Sequence, residues 1–264
     1  MRGGSRLLPG PLADPRGPPL LFGHRGYSAL APENTLAAFQ ALVEHGIPGA
    51  ELDVQLAADG QPVVIHDFTL ERTAGLAARV RDTPLSAIRE LDAGQWWGEQ
   101  FRGQQVPLLE EVFAAFAGSL YFDVELKWDR KAEGGLEQKV VQAIRRHGLE
   151  RRCLLSSFNP YCLLRARRLA PELPTAHIWA DTPELPFLLR HGAAAVLLPG
   201  PLAKPQGRRI RAWNAALFRL LGSRLVAWTV DEPEEARRLL DLGVGGLISN
   251  DPGKLKAAGL YPQS

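Results

Sequence analysis

Cysteine is scarce in this sequence, with only Cys153 and Cys162 among 264 residues. The two form no CxxC pair and no framework for disulfides, so we expect both to be buried packing residues. Long hydrophobic runs are absent as well, since no stretch of 18 or more apolar residues occurs, which excludes a predicted transmembrane helix. The N-terminus has no apolar core of a signal peptide, and we therefore expect a cytoplasmic protein.

An excess of one charge is missing too. The 31 basic and 29 acidic residues leave a net charge of +2, too small for a nucleic-acid-binding surface. We expect the basic run Arg208-Arg209-Ile210-Arg211 to be the solvated face of a helix. No Walker-type loop or GxGxxG opens a helix, and no nucleophile elbow occurs. These absences disfavour nucleotide binding and serine-hydrolase chemistry, and no feature specifies an oligomeric state.

Short β-like runs alternate with helical patterns along most of the chain. The strand candidates cover 19–23, 49–56, 119–126, 153–158, 174–180, 194–198, 224–230 and 245–249. The helical patterns lie near 34–45, 108–117, 132–147, 160–170, 183–191, 208–221, 233–242 and 252–258. Strands that alternate with helices imply parallel βαβ units, and eight such units predict an α/β fold, a (β/α)₈ TIM barrel.

One segment, residues 57–107, interrupts this alternation. A tight turn at Ala58-Asp59-Gly60 precedes the run 62–66, which predicts a small hairpin after the second strand and then a loop with a short helix near 84–92. Insertions of this kind lie at the C-terminal face of a barrel, where active sites are built. We expect residues 1–18 to be a flexible lead-in rich in Gly and Pro, and residues 19–264 to form a single barrel domain.

The second predicted strand carries two carboxylates at alternate positions, Glu51 and Asp53. Side chains alternate faces along a strand, so both share one face while Leu52 and Val54 point to the other. If the apolar pair packs on helices, the carboxylates point into the barrel, where bare charges repel each other. A hard cation such as Mg²⁺ or Ca²⁺ resolves the repulsion, and pairing with Arg or Lys is an equally weighted alternative.

The third predicted strand repeats this pattern with Asp123, Glu125 and Lys127 on one face. Glu125 lies near the C-terminal end of its strand, as Glu51 and Asp53 do, so the three could meet around one ion. A lysine beside an acidic site is useful where the substrate is an anion. An internal salt bridge is the competing interpretation of the Glu-x-Lys pair.

Two histidines, His24 and His66, lie where a barrel would place its site, each directly before a charged residue. Histidine is suited to proton transfer near neutral pH, and two of them suit in-line displacement at phosphorus. Arg25 is suited to bidentate binding of phosphate oxygens. The remaining histidines are expected to be ordinary polar residues: His45, His147, His177 and His191.

These residues resemble the glycerophosphodiester phosphodiesterases, over a match from about residue 20 to the C-terminus. The motifs that carry the resemblance are HRG with PENT (24–26 and 32–35), ELDV (51–54), VVIHD with LERT (63–67 and 70–73), VPLLEEV (106–112), DVELK (123–127), SSF (156–158), AWTVD (227–231) and GVGGLISNDP (243–252). One such motif alone would be weak evidence for the resemblance, whereas this many motifs in the same order are specific to the family.

The resemblance implies a TIM barrel that hydrolyses a glycerophosphodiester to sn-glycerol 3-phosphate and an alcohol. It implies one divalent cation, Mg²⁺ or Ca²⁺ with Mn²⁺ as an option, whose ligands would be Glu51, Asp53 and Glu125. The residues it assigns to acid–base catalysis are His24 and His66. Those it places on the phosphate or in the substrate pocket are Arg25, Lys127 and Trp228, and those that support the first loop are Glu33 and Asn34.

The sequence departs from the family pattern at Leu108, Gly245 and Asn250, where Thr, Asp and Asp are common. None of the three is a proposed ligand, so the departures bear on loop geometry and alcohol preference more than on the reaction.

Two other functions compete with this interpretation. A lysophospholipase D would use the same catalytic residues with an open apolar groove beside Trp96, Trp97 and Trp228. A small closed pocket would favour deacylated substrates, and for Trp96-Trp97 we favour the simpler interpretation of a hydrophobic anchor for a lid. A barrel that binds phosphodiesters without turnover is disfavoured, because a binding protein has no need for two histidines.

Overall fold

The computed structural model describes residue 12 and residues 18–130, 132, 134–181, 187–197 and 200–261. The lead-in expected over residues 1–18 therefore lies outside the described residues, apart from Leu12 and Pro18. Leu12 is buried with apolar residues of the barrel interior, among them Leu20 and Phe22.

Eight parallel strands in the described residues close into a barrel. The order is β1-β11-β10-β9-β8-β7-β6-β2, and β1 also pairs with β2, which completes the ring. The barrel strands are β1 Leu20–Gly23, β2 Gly49–Leu56, β6 Tyr121–Leu126, β7 Cys153–Ser157, β8 Thr175–Trp179, β9 Leu202–Pro205, β10 Arg224–Ala227 and β11 Gly246–Ser249. The predicted (β/α)₈ TIM barrel is confirmed.

Helices connect these strands on the outside of the barrel. They are α1 Leu36–Glu44, α2 Glu71–Ala74, α3 Leu85–Ile88, α4 Leu109–Phe116, α5 Leu136–Arg146, α6 Pro160–Leu169, α7 Phe187–Arg190, α8 Ala193–Leu197, α9 Ala212–Leu220, α10 Pro233–Asp241 and α11 Pro252–Ala257. Thr35 caps α1, because its hydroxyl accepts the Ala38 N–H. Asn159 caps α6 in the same way through the Tyr161 N–H.

The hairpin expected after the second barrel strand is present. The strand β3, Pro62–Val64, pairs antiparallel with the end of β2. A second small sheet follows, made of β4 Thr69–Leu70 and β5 Leu76–Arg79. The predicted short helix near 84–92 corresponds to α3. This insertion carries His66 to the C-terminal end of the barrel.

The barrel separates apolar from charged side chains along its strands. Leu52 and Val54 of β2 point outward into the main apolar core, as do Val124 and Leu126 of β6. The inner end of the barrel is filled by apolar side chains: Leu12, Leu20, Phe22, Leu154, Ala176, Leu202, Val226 and Ile248. Above this apolar layer, the inward positions are charged, and there the site begins.

The strand predicted over 194–198 is wrong. Residues Ala193–Leu197 form the helix α8, and the seventh barrel strand is β9, Leu202–Pro205. The apolar run has adjacent buried and exposed pairs rather than alternation, and alanine and leucine favour helix. The true strand was not predicted because two of the four residues of Leu202–Pro205 are a lysine and a proline, which are uncommon in strands. The preceding helix, predicted over 183–191, appears as α7, while residues 182–186 lie outside the described residues.

The helix predicted over 208–221 starts later than expected. Residues Gly207–Arg209 form a short 3₁₀ turn, and the α-helix covers Ala212–Leu220. The basic run is therefore not the solvated face of a helix, and Arg208 instead lines the cavity described below.

Both cysteines are buried and free, as expected. Burial raises the pKa of the Cys153 and Cys162 thiols well above the usual range, which fits packing rather than reactivity. Among the described residues, no helix combines the length and the apolar character needed to cross a bilayer.

Candidate active site

A cavity of about 400 Å³ opens at the C-terminal end of the barrel. Most of the residues predicted for the site line it: His24, Arg25, Glu51, Asp53, His66, Glu125 and Trp228. The other predicted site residues contact this set, because Lys127 and Asn34 bind Asp53 while Glu33 binds Arg25. The structure thus brings together every residue that the sequence singled out for the site.

Three buried carboxylates form the base of the cavity. Glu51, Asp53 and Glu125 each offer an oxygen, and these atoms lie within 4.8 Å of one another. The parallel register of β2 and β6 produces this arrangement, because it sets Glu51 beside Asp123 and Asp53 beside Glu125. Three such oxygens suit a hard divalent cation.

The environment of the carboxylates differs from one to the next. Lys127 Nζ lies 3.8 Å from Asp53 Oδ1 and 3.4 Å from Glu125 Oε1, and Arg25 Nε lies 3.5 Å from Asp53 Oδ2. Burial alone would raise the pKa of Asp53, but the charges of Lys127 and Arg25 outweigh it and hold that pKa below its usual range. Burial, with the neighbouring carboxylates, raises the pKa of Glu51 to about 8.

A further layer of charged side chains lies deeper in the barrel. Its lysine, Lys204, was not among the residues predicted for the site. Lys204 of β9 is buried, with Nζ 2.9 Å from Asp123 Oδ2 and 3.4 Å from Glu51 Oε1. Ser156 accepts from Lys204 at 3.2 Å and donates to Asp123 at 2.6 Å. Burial opposes the charge of Lys204, yet Asp123 and Glu51 hold its pKa above the usual range. Lys204 is therefore the internal counter-ion of the deepest carboxylates.

The loop after β1 holds two residues in left-handed backbone conformations, Arg25 with φ 56° and Asn34 with φ 57°. For a residue with a side chain this conformation is costly and needs support from its surroundings. The Arg25 N–H donates to Glu51 Oε2 at 3.0 Å, and the Arg25 carbonyl accepts from the Asn34 N–H at 2.8 Å. Asn34 Nδ2 also donates to Asp53 Oδ2 at 2.9 Å. The strained loop is thereby fixed directly to two of the carboxylates.

Arg72 joins the loops that carry the two histidines. Its guanidinium donates to both oxygens of Glu33, at 2.8 and 2.7 Å, and to Asp67 Oδ2 at 2.6 Å. Glu33 in turn accepts from Arg25 at 2.8 Å. Burial would raise the pKa of Asp67, but hydrogen bonds from Arg72 and His66 hold it below its usual range. Glu33, which was predicted to support the first loop, thus accepts hydrogen bonds from two arginines, Arg25 and Arg72.

His24 is oriented by Asn250, a contact between the residue that follows β1 and the residue that follows β11. The ring nitrogen Nδ1 lies 2.7 Å from Asn250 Oδ1, and Asn250 Nδ2 donates to Asp231 Oδ2 at 2.8 Å. Because the Asp231 carboxylate only accepts, it fixes the amide with its oxygen toward His24. His24 therefore donates from Nδ1 and presents an unprotonated Nε2, 4.0 Å from Glu51 Oε2. Burial and the charge of Arg25 lower the pKa of His24 to about 4.

His66 reaches the same orientation through a different partner. Its Nδ1 lies 2.6 Å from Asp67 Oδ1, so it donates to a carboxylate and leaves Nε2 for the cavity. The two histidines thus present the same ring nitrogen to the cavity from two separate loops.

The charges around the cavity favour a bound cation. Four buried carboxylates, Glu51, Asp53, Asp123 and Glu125, face three cations, Arg25, Lys127 and Lys204. The pairing with Arg and Lys that competed with metal binding is therefore present. With all four carboxylates ionised one negative charge is left over, and the raised pKa of Glu51 reflects both its burial and the neighbouring carboxylates. Glu51, Asp53 and Glu125 are the residues that fit a divalent cation by their oxygen chemistry and spacing.

Aromatic residues form one wall of the cavity. The Trp228 indole packs edge-on to Phe158 with ring centroids 5.6 Å apart, and Trp228 Nε1 donates to the Lys204 carbonyl at 3.1 Å. Trp96 and Trp97 are not among the residues that line this cavity. Trp97 Nε1 instead donates to the Ser28 carbonyl at 3.3 Å, which places it against the loop after β1.

The other four histidines have partners outside the cavity, as expected. His45 and His191 bond through Nδ1 to carbonyls in the helical turn before each of them, and His147 pairs with Glu110. His177 is buried in β8 with Nδ1 3.2 Å from the Ser157 carbonyl.

Comparison with known proteins identifies the family. The sequence pattern of the Glycerophosphoryl diester phosphodiesterase family matches residues 24–254. The chain belongs to this family. The matched range contains every residue described above for the cavity, from His24 to Asn250.

Members of the glycerophosphoryl diester phosphodiesterase family resemble the chain along most of its length. A glycerophosphodiester phosphodiesterase of Caldanaerobacter subterraneus subsp. tengcongensis is 36% identical over 234 residues, which are 88% of this chain and 94% of that protein. The solved structure of an Oleispira antarctica phosphodiesterase, in complex with the product sn-glycerol-3-phosphate, matches with a TM-score of 0.77 and 28% identity, covering 91% of this chain and 96% of that one. A glycerophosphodiester phosphodiesterase of Agrobacterium tumefaciens matches with a TM-score of 0.76 and 26% identity, covering 90% and 98%.

Several residues at this family's site were missed by the sequence reasoning. Lys204 was lost with its strand, although a lone lysine inside the run Leu202–Pro205 is an unusual interior residue. Asn250 was noted only as a departure from the family pattern, although it directly follows a buried strand, β11. Arg72 lay in the quoted LERT motif without a role. Spacing alone does not show these three because their partners are distant in sequence.

Replacing Lys204 by Met tests the importance of the internal counter-ion. We expect the variant to lose about 3–5 kcal/mol of unfolding free energy, because it leaves the buried charge of Asp123 without its partner. The double variant K204M/D123N should recover part of the loss, since it removes both charges. Urea unfolding measures all three proteins.

The matched control is Lys254→Met, which removes a lysine paired with Glu232 at the surface, 2.9 Å away. Exposed pairs of this kind contribute little, so the control should unfold almost as the parent does. A Lys204→Met protein no less stable than the Lys254→Met protein would contradict the assigned role.

Proposed function

We propose that the chain hydrolyses glycerophosphodiesters to sn-glycerol 3-phosphate and an alcohol, with a divalent cation and two histidines. The observation that carries the proposal is the convergence of His24, His66 and Arg25 on one cavity with three buried carboxylates. The family membership and the product bound by the Oleispira antarctica relative agree with this substrate class. The chain would thus be a phosphoric diester hydrolase of glycerol and lipid metabolism.

Glu51, Asp53 and Glu125 would hold the cation. When bound, a Mg²⁺, Ca²⁺ or Mn²⁺ ion supplies Lewis-acid stabilisation of negative charge on phosphate oxygens. The carboxylates themselves attract this ion and would repel a phosphodiester anion without it. A bound cation would therefore favour binding of the anionic substrate, and a bound substrate would favour binding of the cation.

Arg25 and Lys127 would bind the phosphate. The buried Nε of Arg25 makes no hydrogen bond within the described part of the chain, so a donor is available beside the carboxylates. Lys127 is held at the edge of the same cluster by Glu125 and Asp53, whose charges keep its pKa above the usual range against the effect of burial. Both cations would meet developing negative charge without reorganising.

The two histidines would move the protons. With a pKa lowered to about 4, His24 is neutral near pH 7, so its Nε2 would accept the proton of the attacking hydroxyl. Asn250 would keep His24 in this tautomer. His66, with its Nδ1 on the Asp67 carboxylate, would deliver a proton from Nε2 to the leaving alcohol oxygen. The carboxylate of Asp67 would stabilise the imidazolium form that this step requires.

The dimensions of the cavity support deacylated substrates over lysophospholipids. Its volume of about 400 Å³ suits a small phosphodiester, and most of its lining residues are polar or charged. Of the three tryptophans expected beside an acyl groove, Trp228 lines the cavity, whereas Trp96 and Trp97 are not among its lining residues. The lysophospholipase D activity is therefore the weaker of the two proposals.

Replacing His24 or His66 by Ala should lower kcat for a glycerophosphodiester by about 10²–10⁴, because each variant removes one proton-transfer group. The rate is measured as the release of sn-glycerol 3-phosphate from glycerophosphocholine in the presence of Mg²⁺, Mn²⁺ or Ca²⁺. Circular dichroism should show that both variants keep the fold.

His191→Ala is the matched control, because this histidine is exposed at a helix end and, among the described residues, bonds to the Phe187 carbonyl of the preceding helix. It should retain the parent rate. Wild-type rates in either His24→Ala or His66→Ala would overturn the assignment of the catalytic pair.

Cation binding should depend on pH through Glu51. In the metal-free protein, with a pKa of about 8, Glu51 is mostly protonated at pH 6, and it must lose that proton to become a ligand. The apparent affinity for Mn²⁺ or Mg²⁺ should therefore rise by about tenfold per pH unit between pH 6 and 8, and level off above that. Calorimetry in two buffers of different ionisation enthalpy measures both the affinity and the released proton.

The control for this dependence is Glu51→Gln, which should bind the cation more weakly at every pH and release fewer protons. An affinity of the parent that does not change between pH 6 and 8 would contradict the role of Glu51 as a ligand.

A further inference from the structure

The cavity has two unlike halves, set by the order of strands in the barrel. The residues proposed for catalysis follow β1, β2 and β6 or belong to them, and His66 follows β3 beside β2. Apart from Lys204 within β9, the remaining lining residues follow the four strands of the opposite arc, β7 to β10: Phe158, Ala180, Asp181, Gln206, Arg208 and Trp228. The proposed function assigns no catalytic or phosphate-binding role to this second group.

Arg208 is held over the opposite arc by a well-anchored turn. The Gln206 N–H donates to the Trp179 carbonyl at 3.0 Å, and the Gly207 N–H donates to the Trp228 carbonyl at 2.7 Å. These bonds tie the turn to β8 and to the end of β10, so the position of Arg208 is fixed at its backbone. Its side chain is exposed at the rim of the cavity.

The guanidinium of Arg208 has no hydrogen-bond or ion-pair partner within the residues that the structure describes. Its charged neighbours are already paired. Asp181, across the rim, forms an ion pair with Arg209 at 3.3 Å, and Lys204 below is bound to Asp123 and Glu51. The rest of this half is the aromatic pair Phe158 and Trp228 and the amide of Gln206. Arg208 is therefore a positive charge on an anchored backbone, without a counter-ion among the described residues.

The position of Arg208 decides which part of a substrate would reach it. The scissile phosphate must lie at the buried carboxylates, where Glu51 is 2% exposed and Asp53 is 1% exposed. The exposed rim opposite them is where the alcohol group of a phosphodiester would extend. An unpaired guanidinium favours a carboxylate or another anion there and disfavours a cationic group.

We propose that Arg208 makes the enzyme prefer glycerophosphodiesters whose alcohol group carries an anionic substituent. This inference rests on the proposed function and adds the class of alcohol to it. Arg208 acts in binding and specificity, not in the proton transfers.

Two substrates that differ by one carboxylate test the preference directly. Glycerophosphoserine has the carboxylate that glycerophosphoethanolamine lacks, and the rest of the two molecules is the same. We expect the parent enzyme to have the higher kcat/KM for the serine diester. The variant Arg208→Gln should lower the serine-to-ethanolamine ratio of kcat/KM by about fivefold, the size typical of an exposed charge pair, and Arg208→Glu should lower it further.

Arg211→Gln is the matched control. It removes the same charge three residues further on, at the N-cap of α9, from a residue that does not line the cavity. The ratio should keep the parent value in this control. Phosphate-free buffer of constant ionic strength is needed, because an exposed charge is screened by salt.

The possible results separate the two claims. A ratio that is unchanged in both Arg208→Gln and Arg208→Glu, while each still hydrolyses the substrates, would overturn the inference and leave the proposed function intact. An equal fall of the serine-to-ethanolamine ratio in Arg211→Gln would also overturn the inference, since the effect would then come from net charge. A parent enzyme that hydrolyses neither diester would overturn the proposed function, and the inference with it.

Discussion

The burial of four carboxylates inside the barrel is the constraint on which the site depends: Glu51, Asp53, Asp123 and Glu125. Charges removed from water must be compensated, and in this barrel the compensation is layered. Lys204 serves the deepest pair, while Lys127 and Arg25 serve the carboxylates nearer the cavity. Glu51, Asp53 and Glu125 can therefore all be ionised together most readily when a divalent cation lies between them, and that cation in turn would favour an anionic substrate.

The loops at the C-terminal end extend this charge pattern outward. The loop after β1 is held in a strained conformation by Glu51 and Asp53, so its arginine faces the cavity. Arg72 then connects this loop to the one that carries His66. His24 and His66 are oriented in the same way by different partners, an amide and a carboxylate. Residues far apart in sequence thus converge on one cavity, where we propose them as a base, an acid and a phosphate-binding arginine.

The sequence was sufficient where a property is local. Alternation in the runs of β2 and β6 placed Glu51, Asp53 and Glu125 on one interior face, and the strand–helix rhythm predicted the barrel. It was insufficient where a property depends on distant neighbours. The run 194–198 was apolar enough for a strand, yet tertiary packing made it a helix and moved the seventh strand to Lys204. Likewise, Asn250 contacts His24 across 226 residues, a separation that no periodicity reveals.

Which bond the enzyme breaks tests the central claim most directly. Phosphorus-31 NMR of glycerophosphocholine, incubated with the protein and Mg²⁺, Mn²⁺ or Ca²⁺, distinguishes the products. The account predicts that the diester signal is replaced by that of sn-glycerol 3-phosphate, with free choline released and with no reaction in excess chelator. Appearance of phosphocholine and glycerol, or full turnover in excess chelator, would contradict it.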